Sequence, residues 1–283
     1  MLRLKQLWKD KKKLSDYIKE LNPKKILLPF GHGLGDTIMF ANPFKALCEK
    51  YPDIEFTLVM QKGLGFEELK NDIEQPNGKV LFSSDLSYNN DIPEYDIIAD
   101  IDFPMNEGQT ELTKGEWCCK HEFGIKLING HKQLTVGKNR LIGIHFQITC
   151  LPDAANPDQE TAEKVWNDVL SEGFIPIEMH LQHVFHNPVN KMFPFIDCTV
   201  RRVRPQVSTL LGLIQSCAGV ICVVSGNLHA ALSLLPPERI FFLEKHFKLA
   251  CFTKKQGISQ ASILPGKYNG EVKQWLQKIE SLK

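Results

Sequence analysis

KKILLPFGHGLGDTIMFANPFKALCEKY, residues 24–51, is the stretch whose reading decides the fold. An apolar run at 24–29 passes into the glycine-rich Gly31-His32-Gly33-Leu34-Gly35-Asp36, and apolar residues then recur at helical spacing. Strand, tight loop and helix make the first half of a βαβ unit. Working outward, apolar runs predict strands at 54–60, 79–82 and 95–101, with helices around 66–72 and 116–128. The polar, glycine-containing residues 129–139 then separate this series from a second one that opens with the strand LIGIHF at 141–146. Helices at 159–171, 207–217, 228–235 and 270–281 alternate there with strands at 175–179, 220–224 and 239–243. Such alternation predicts an α/β fold of two Rossmann-like domains, 1–138 and 139–283, with parallel sheets. Parallel sheets bind ligands beyond the carboxyl ends of their strands, so two such domains face to face predict a site in the cleft between them. No solenoid-type repeat is present.

Composition narrows the function classes. A hydrophobic content of 43 % with 24 % charged residues supports packed cores and excludes a collagen-like or disordered chain. Thirty-four Lys and Arg against 33 Asp and Glu leave a formal charge of +1, too little to attract nucleic acid, so an anionic ligand must be held by local groups. The eight cysteines, Cys48, Cys118, Cys119, Cys150, Cys198, Cys217, Cys222 and Cys251, form no C-x-x-C and read as reduced thiols of a cytoplasmic protein. No window reaches the roughly 20 apolar residues of a membrane span, and residues 1–21 lack the apolar centre of a signal peptide. Residues 2–21, LRLKQLWKDKKKLSDYIKEL, read as a lysine-rich amphipathic helix. It is either a solvated capping helix or a basic face for peripheral contact with a membrane.

Two loops carry candidate chemistry. Gly31, Gly33 and Gly35 permit positive φ and close backbone approach, and the helix that follows presents amides and a partial positive charge. A dinucleotide fingerprint needs glycine where Asp36 stands, and a carboxylate there repels pyrophosphate, which argues against a nicotinamide cofactor. Asp36 is then either a helix cap or a general base. The second loop, Ser225-Gly226-Asn227-Leu228-His229, follows the apolar run VICVV and opens a helix. Ser225 is placed to cap, Gly226 opens the backbone to a ligand, and His229 lies in the first turn, where it serves either structure or a phosphate oxygen.

The stretch GHGLGDTIMFANPFKALCEKYPDIEFTLV resembles the amino-terminal signature of glycosyltransferase family 9, the ADP-heptose:lipopolysaccharide heptosyltransferases. STLLGLIQSCAGVICVVSGNLHAALSLL is similar to the family's donor-loop segment, with Ser225, Gly226, His229, Ala230 and Ala231 at matching positions, and LIGIHFQ to the strand that begins its second domain. The resemblance implies GT-B architecture, with acceptor bound mainly by the first domain and nucleotide-sugar donor by the second. It also implies metal-independent inverting transfer without a cofactor. Carried onto this chain, Asp36 matches the catalytic base beside Gly33 and Gly35 on the acceptor side. The resemblance likewise implies that Ser225, Gly226, Asn227 and His229 make up the donor diphosphate loop. The implied partners are a nucleotide-diphosphate sugar, ADP-heptose by default, and a glycan or lipid-linked glycan acceptor at the inner face of the membrane.

The chain departs from the family at Val224, where an aspartate is usual, at Asn227, often proline, and at residues 147–163, which hold no Lys or Arg to neutralise a diphosphate. Lys164, Lys245 and Lys248 are the substitutes at hand. These departures motivate an alternative, a non-catalytic GT-B binding protein with a degenerate donor site. His180, His183 and His186 recur every third residue, a spacing that spreads them around a helix rather than converging them on a metal. Cys118, Cys119 and His121 lack a second pair at zinc spacing and read as helix packing, and the basic cluster Arg201, Arg202 and Arg204 reads as a solvated turn or an anion contact.

Overall fold

The computed structural model describes residues 1–61, 66–84, 94–102, 114–126, 140–146, 155–179, 207–246 and 258–281. The chain divides into two compact units, Met1–Gly130 and His131–Lys283. The first contains β1 (Leu2–Leu4), α1 (Leu14–Leu21), β2 (Lys25–Phe30), α2 (Leu34–Lys50), β3 (Glu55–Gln61), α3 (Lys70–Ile73), β4 (Gly78–Ser83), β5 (Ile97–Ala99) and α4 (Lys114–Cys118), which runs into a π-helical turn, Cys119–Phe123. Its sheet has the order β1-β5-β2-β3-β4, and all four pairs are parallel. β2 buries every residue but Lys25, and β3 every residue but its ends, because helices cover both faces of a parallel sheet. Pro29 stands near the end of this central strand without an N–H to give. The ladder with β5 spans only Ile26 and Leu27, and beyond it the Pro29 carbonyl accepts from the Ile101 amide at 3.2 Å.

An aromatic column fastens α2 to this sheet. Phe30 stacks on Phe40 with ring centroids 4.4 Å apart, and Phe40 meets Phe44 along the helix and the edge of Phe123 across it. All four rings are buried, each worth about 1.5–3 kcal/mol against exposure.

The second unit contains β6 (Leu141–His145), α5 (Gln159–Ser171), β7 (Ile175–Glu178), α6 (Val207–Ser216), β8 (Gly219–Cys222), α7 (Gly226–Leu234), β9 (Ile240–Glu244), β10 (Ser259–Ser262) and α8 (Glu271–Ser281). Its order is β10-β9-β8-β6-β7, again wholly parallel. Its core gathers Ile142, Ile144, Ile221 and Phe241 from the strands with Val165, Val169, Trp275 and Leu276 from α5 and α8. Trp275 donates its Nε1–H to the Glu238 carbonyl at 2.8 Å and pins α8 beneath the start of β9.

Two expectations are corrected, and one strand goes beyond them. Residues 2–21 do not form one helix: Leu2–Leu4 is an edge strand parallel to β5, and only Leu14–Leu21 is helical. Tertiary bonds outweigh the helical spacing there, since Arg3 grips the Asp100 carboxylate at 3.1 and 3.2 Å, Trp8 donates to Asp102 at 3.0 Å, and Gln6 takes φ 52°. The helix expected at 116–128 ends at Phe123, where Gly124 turns left-handed at φ 68°. β10, with the polar sequence SQAS, has no apolar run to betray it.

Gly219 starts β8 at a close approach. A Cβ there would lie 2.8 Å from Ile279 Cδ1 and 2.9 Å from both Trp275 Cη2 and the Arg239 carbonyl oxygen. Gly219→Ala is therefore expected to destabilise the protein by about 1–3 kcal/mol, read as a lower urea midpoint at unchanged m-value.

Candidate functional site

Each sheet reverses its order once beside its first long strand. In the first unit the chain runs outward from β2 through β3 and β4, then returns to the other flank of β2 for β5. In the second, β7 lies on one side of β6 while β8, β9 and β10 lie on the other. Loops leaving the two strands at such a reversal diverge, and the opening beyond their carboxyl ends is where open α/β sheets take ligands. Both loops singled out in the sequence leave strands at a reversal.

In the first unit that loop joins β2 to α2. Gly33 is the N-cap of α2 at φ −71° and ψ 175°, and it brings no side chain to cap the first-turn amides. The glycines at 31, 33 and 35 do not use positive φ, which among the described glycines belongs to Gly124, Gly173, Gly266 and Gly270. What Gly33 provides is room, since a Cβ built on it meets nothing within 4 Å. Asp36 is three residues beyond the cap, so it is not the capping residue, and its side chain is partly exposed. Its charge at the amino end of α2 suits the helix dipole. His32 Nδ1 lies 3.7 Å from Asp36 Oδ2, while His32 Nε2 is 3.1 Å from the Ile101 carbonyl oxygen just past β5. Next to Asp36, Thr37 buries a hydroxyl that has no hydrogen-bond partner among the described residues.

In the second unit the loop joins β8 to α7. Ser225 is the N-cap of α7, in extended conformation, and its Oγ accepts from the Leu228 amide at 3.3 Å. Gly226 opens the helix, and His229 is half-buried in its first turn with Nδ1 enclosed. Asn227 is 3 % exposed and spends its side-chain amide on the Met179 carbonyl, 2.8 Å away. The same oxygen lies 2.6 Å from His145 Nδ1, so the ends of β6 and β7 are tied to the first turn of α7. His145 was not among the sequence candidates, because inside LIGIHF it reads as one more strand residue.

Two further groups line the carboxyl edge of this sheet. Asp158 caps α5, accepting from the Thr161 amide at 2.8 Å, and the bonds from Thr161 with the nearby charge of Lys245 hold its carboxyl below the ordinary value. Lys245, the residue after β9, donates from Nζ to the Asn156 carbonyl at 2.9 Å. That bond places an ammonium beside the amino end of α5. Lys164 instead pairs with Glu160 at 2.7 Å on an exposed helix face. Lys248, the histidines 180, 183 and 186, the arginines 201, 202 and 204, and residues 147–154 lie outside the described residues.

The described cysteines are free and buried. Burial pushes the thiols of Cys48 and Cys119 up to about 12 and that of Cys217 to about 11, which keeps them protonated and unreactive. Cys118 donates to Glu122 at 3.6 Å, and His121 stacks on Trp117, so this cluster is packing. Among the described residues no group of three or more His, Cys, Asp or Glu is arranged to hold a metal ion. No described helix is long and apolar enough to cross a membrane.

No protein-family model matches the chain, and no curated protein matches it in sequence. Solved structures do. The iron-containing dodecameric glycosyltransferase TibC from enterotoxigenic E. coli H10407 superimposes with a TM-score of 0.62 at 10 % identity, over 92 % of this chain and 77 % of that one. E. coli heptosyltransferase WaaC with ADP gives 0.60 at 10 % identity, over 90 % and 99 %. The glycosyl transferase family 9 protein of Veillonella parvula DSM 2008 gives 0.59 at 12 % identity, over 92 % and 96 %. The α/β fold of two Rossmann-like units is the fold of these proteins.

Two substitutions separate structural from ligand roles in these loops. Asn227→Ala is expected to cost about 0.5–1.5 kcal/mol by removing one of the two donors on the Met179 carbonyl. Thr37→Val, which removes a buried hydroxyl with no partner among the described residues, is expected to be neutral or stabilising. Thermal denaturation of both variants measures the contrast.

Proposed function

We propose that the protein is an inverting glycosyltransferase. It moves a sugar, heptose by default, from a nucleotide-diphosphate donor to a hydroxyl of a glycan or lipopolysaccharide-type acceptor. The observation that carries this reading is Asp36, a partly exposed carboxylate in the first turn of α2 at the reversal of its sheet. The likeness to heptosyltransferase structures, one of them holding ADP, supports it.

In this scheme Asp36 removes the proton of the acceptor hydroxyl as that oxygen attacks the anomeric carbon from the face opposite the diphosphate. The new carbon–oxygen bond forms while the bond to the diphosphate breaks, and the departing oxygen keeps the electron pair. Its charge is received by the amides around Gly226, by His229 and by Lys245. Lys245 takes the part for which residues 147–163 offer no cation. The protein thus supplies the positive charge itself, and no metal or cofactor enters the scheme. Gly33, with open space above it, admits the acceptor next to Asp36. The exposed Lys5, Lys9, Lys11 and Lys12 favour work at the cytoplasmic face of an anionic membrane.

A second reading is a binding protein that keeps the fold without the chemistry. It is favoured by Ser225 and Asn227, whose polar groups are engaged inside the protein, and by Val224 where the resembled family carries aspartate.

Titration calorimetry with ADP, UDP, GDP and CDP decides between them. The transferase reading expects selective binding of one diphosphate, weakened about ten- to a hundredfold in His229→Ala and again in Lys245→Ala. Binding of none of the four favours the second reading. With the donor so identified, Asp36→Asn is expected to lower kcat by about 10²- to 10⁴-fold at nearly unchanged donor affinity. Full turnover by that variant removes Asp36 from the role of base.

A further inference from the structure

We infer that His32 is the positioning residue of Asp36, a protonated ring that holds the carboxylate in one orientation at the reversal of the first sheet. The inference rests on the reading of Asp36 as the base. The ring is fixed from three sides. Phe30 packs against it with centroids 4.6 Å apart, Nε2 lies 3.1 Å from the Ile101 carbonyl oxygen, and Nδ1 lies 3.7 Å from Asp36 Oδ2. Its side chain is only 25 % exposed, so these contacts rather than solvent set its orientation.

The two nitrogens are not equivalent in this setting. A carbonyl oxygen only accepts, so the hydrogen bond to Ile101 requires the hydrogen on Nε2. The neutral ring then turns a lone pair on Nδ1 toward a carboxylate oxygen, an arrangement with no attraction in it. The imidazolium instead sets a positive charge 3.7 Å from the same oxygen, and the contact becomes an ion pair. Proton uptake by His32 and orientation of Asp36 are therefore one event. Because Ile101 follows β5 and His32 follows β2, the ring bridges the two strands between which the sheet reverses, and the carboxylate inherits that rigidity.

Four of the other ionisable groups nearby have partners of their own. Asp100 and Asp102 flank Ile101, but Arg3 holds the first and the Trp8 indole the second. On the helical segment packed against α2 are Glu116, Lys120, His121 and Glu122, where His121 stacks on Trp117 and Glu122 accepts from Cys118.

The test has one arm that needs no substrate. Nitrogen NMR of the imidazoles, with His32 assigned by the signal lost in His32→Gln, is recorded across the titration of the ring in wild type and in Asp36→Asn. The expected result is a hydrogen on Nε2 throughout and a His32 midpoint that falls by about 1 pH unit when the carboxylate is removed. An unchanged midpoint overturns the inference, whatever the fate of the transferase reading.

The second arm is turnover with the diphosphate sugar whose nucleotide the calorimetry selects. His32→Asn keeps an amide donor where Nδ1 stood, and His32→Gln keeps one where Nε2 stood. Positioning of Asp36 predicts that the asparagine variant retains kcat within a few fold. The glutamine variant then falls tenfold or more with KM unchanged and with a melting temperature like that of wild type. The reverse order means that His32 serves only to tie the loop to Ile101, and it overturns the inference. Absence of turnover in wild type itself counts against the transferase reading and leaves the spectroscopic arm to decide the pairing.

Discussion

Everything in this protein depends on where each sheet places its first long strand. β2 and β6 both end up inside their sheets with neighbours on either side, so the chain must build outward on one flank and come back to the other. At such a reversal right-handed connections carry the following helices to opposite faces of a parallel sheet, and ligands bind beyond the strand ends there. The described segments that leave strands at the two reversals are the glycine loop with Asp36 after β2 and the serine-capped start of α7 after β8.

Packing gives these segments a defined geometry. In the first unit the column of Phe30, Phe40, Phe44 and Phe123 sets how α2 lies on the sheet, and so where its first turn projects. In the second a single carbonyl does comparable work, because the Met179 oxygen gathers His145 from β6 and Asn227 from α7. One loop is positioned by apolar area and the other by directional bonds. The latter tolerates less change, since a buried carbonyl deprived of a donor costs more than a slightly looser ring contact.

The long buried strands and the two strand–loop–helix junctions were legible because their residues interact mainly with near neighbours in the chain. KKILLPF and VICVV can hardly be anything but interior strands, and Ser225 announces its cap by residue type alone. What stayed hidden depends on partners far away in sequence. Leu2–Leu4 is a strand because β5 offers it an edge and Asp100 a partner for Arg3, neither of which residues 1–21 reveal. β10 is a strand because β9 is there to pair with it. Lys245 looked like one lysine among several until the Asn156 carbonyl, 89 positions earlier, fixed its place. His32 carried no role in the sequence reading, and only the contact with Ile101, 69 positions on, gives its two nitrogens separate roles.

Gly33 carries a different kind of message. Its φ of −71° is open to every amino acid, and a side chain there would touch nothing within 4 Å. Neither the backbone nor the packing of the folded chain asks for glycine at this point, in contrast to Gly124, which both conformation and the crowding of Ser15 demand. At Gly124 a side chain would strain the backbone and crowd its neighbours, whereas at Gly33 the described fold accepts one without either penalty. A library of variants screened for folding alone would pass freely at position 33 and be caught at position 124.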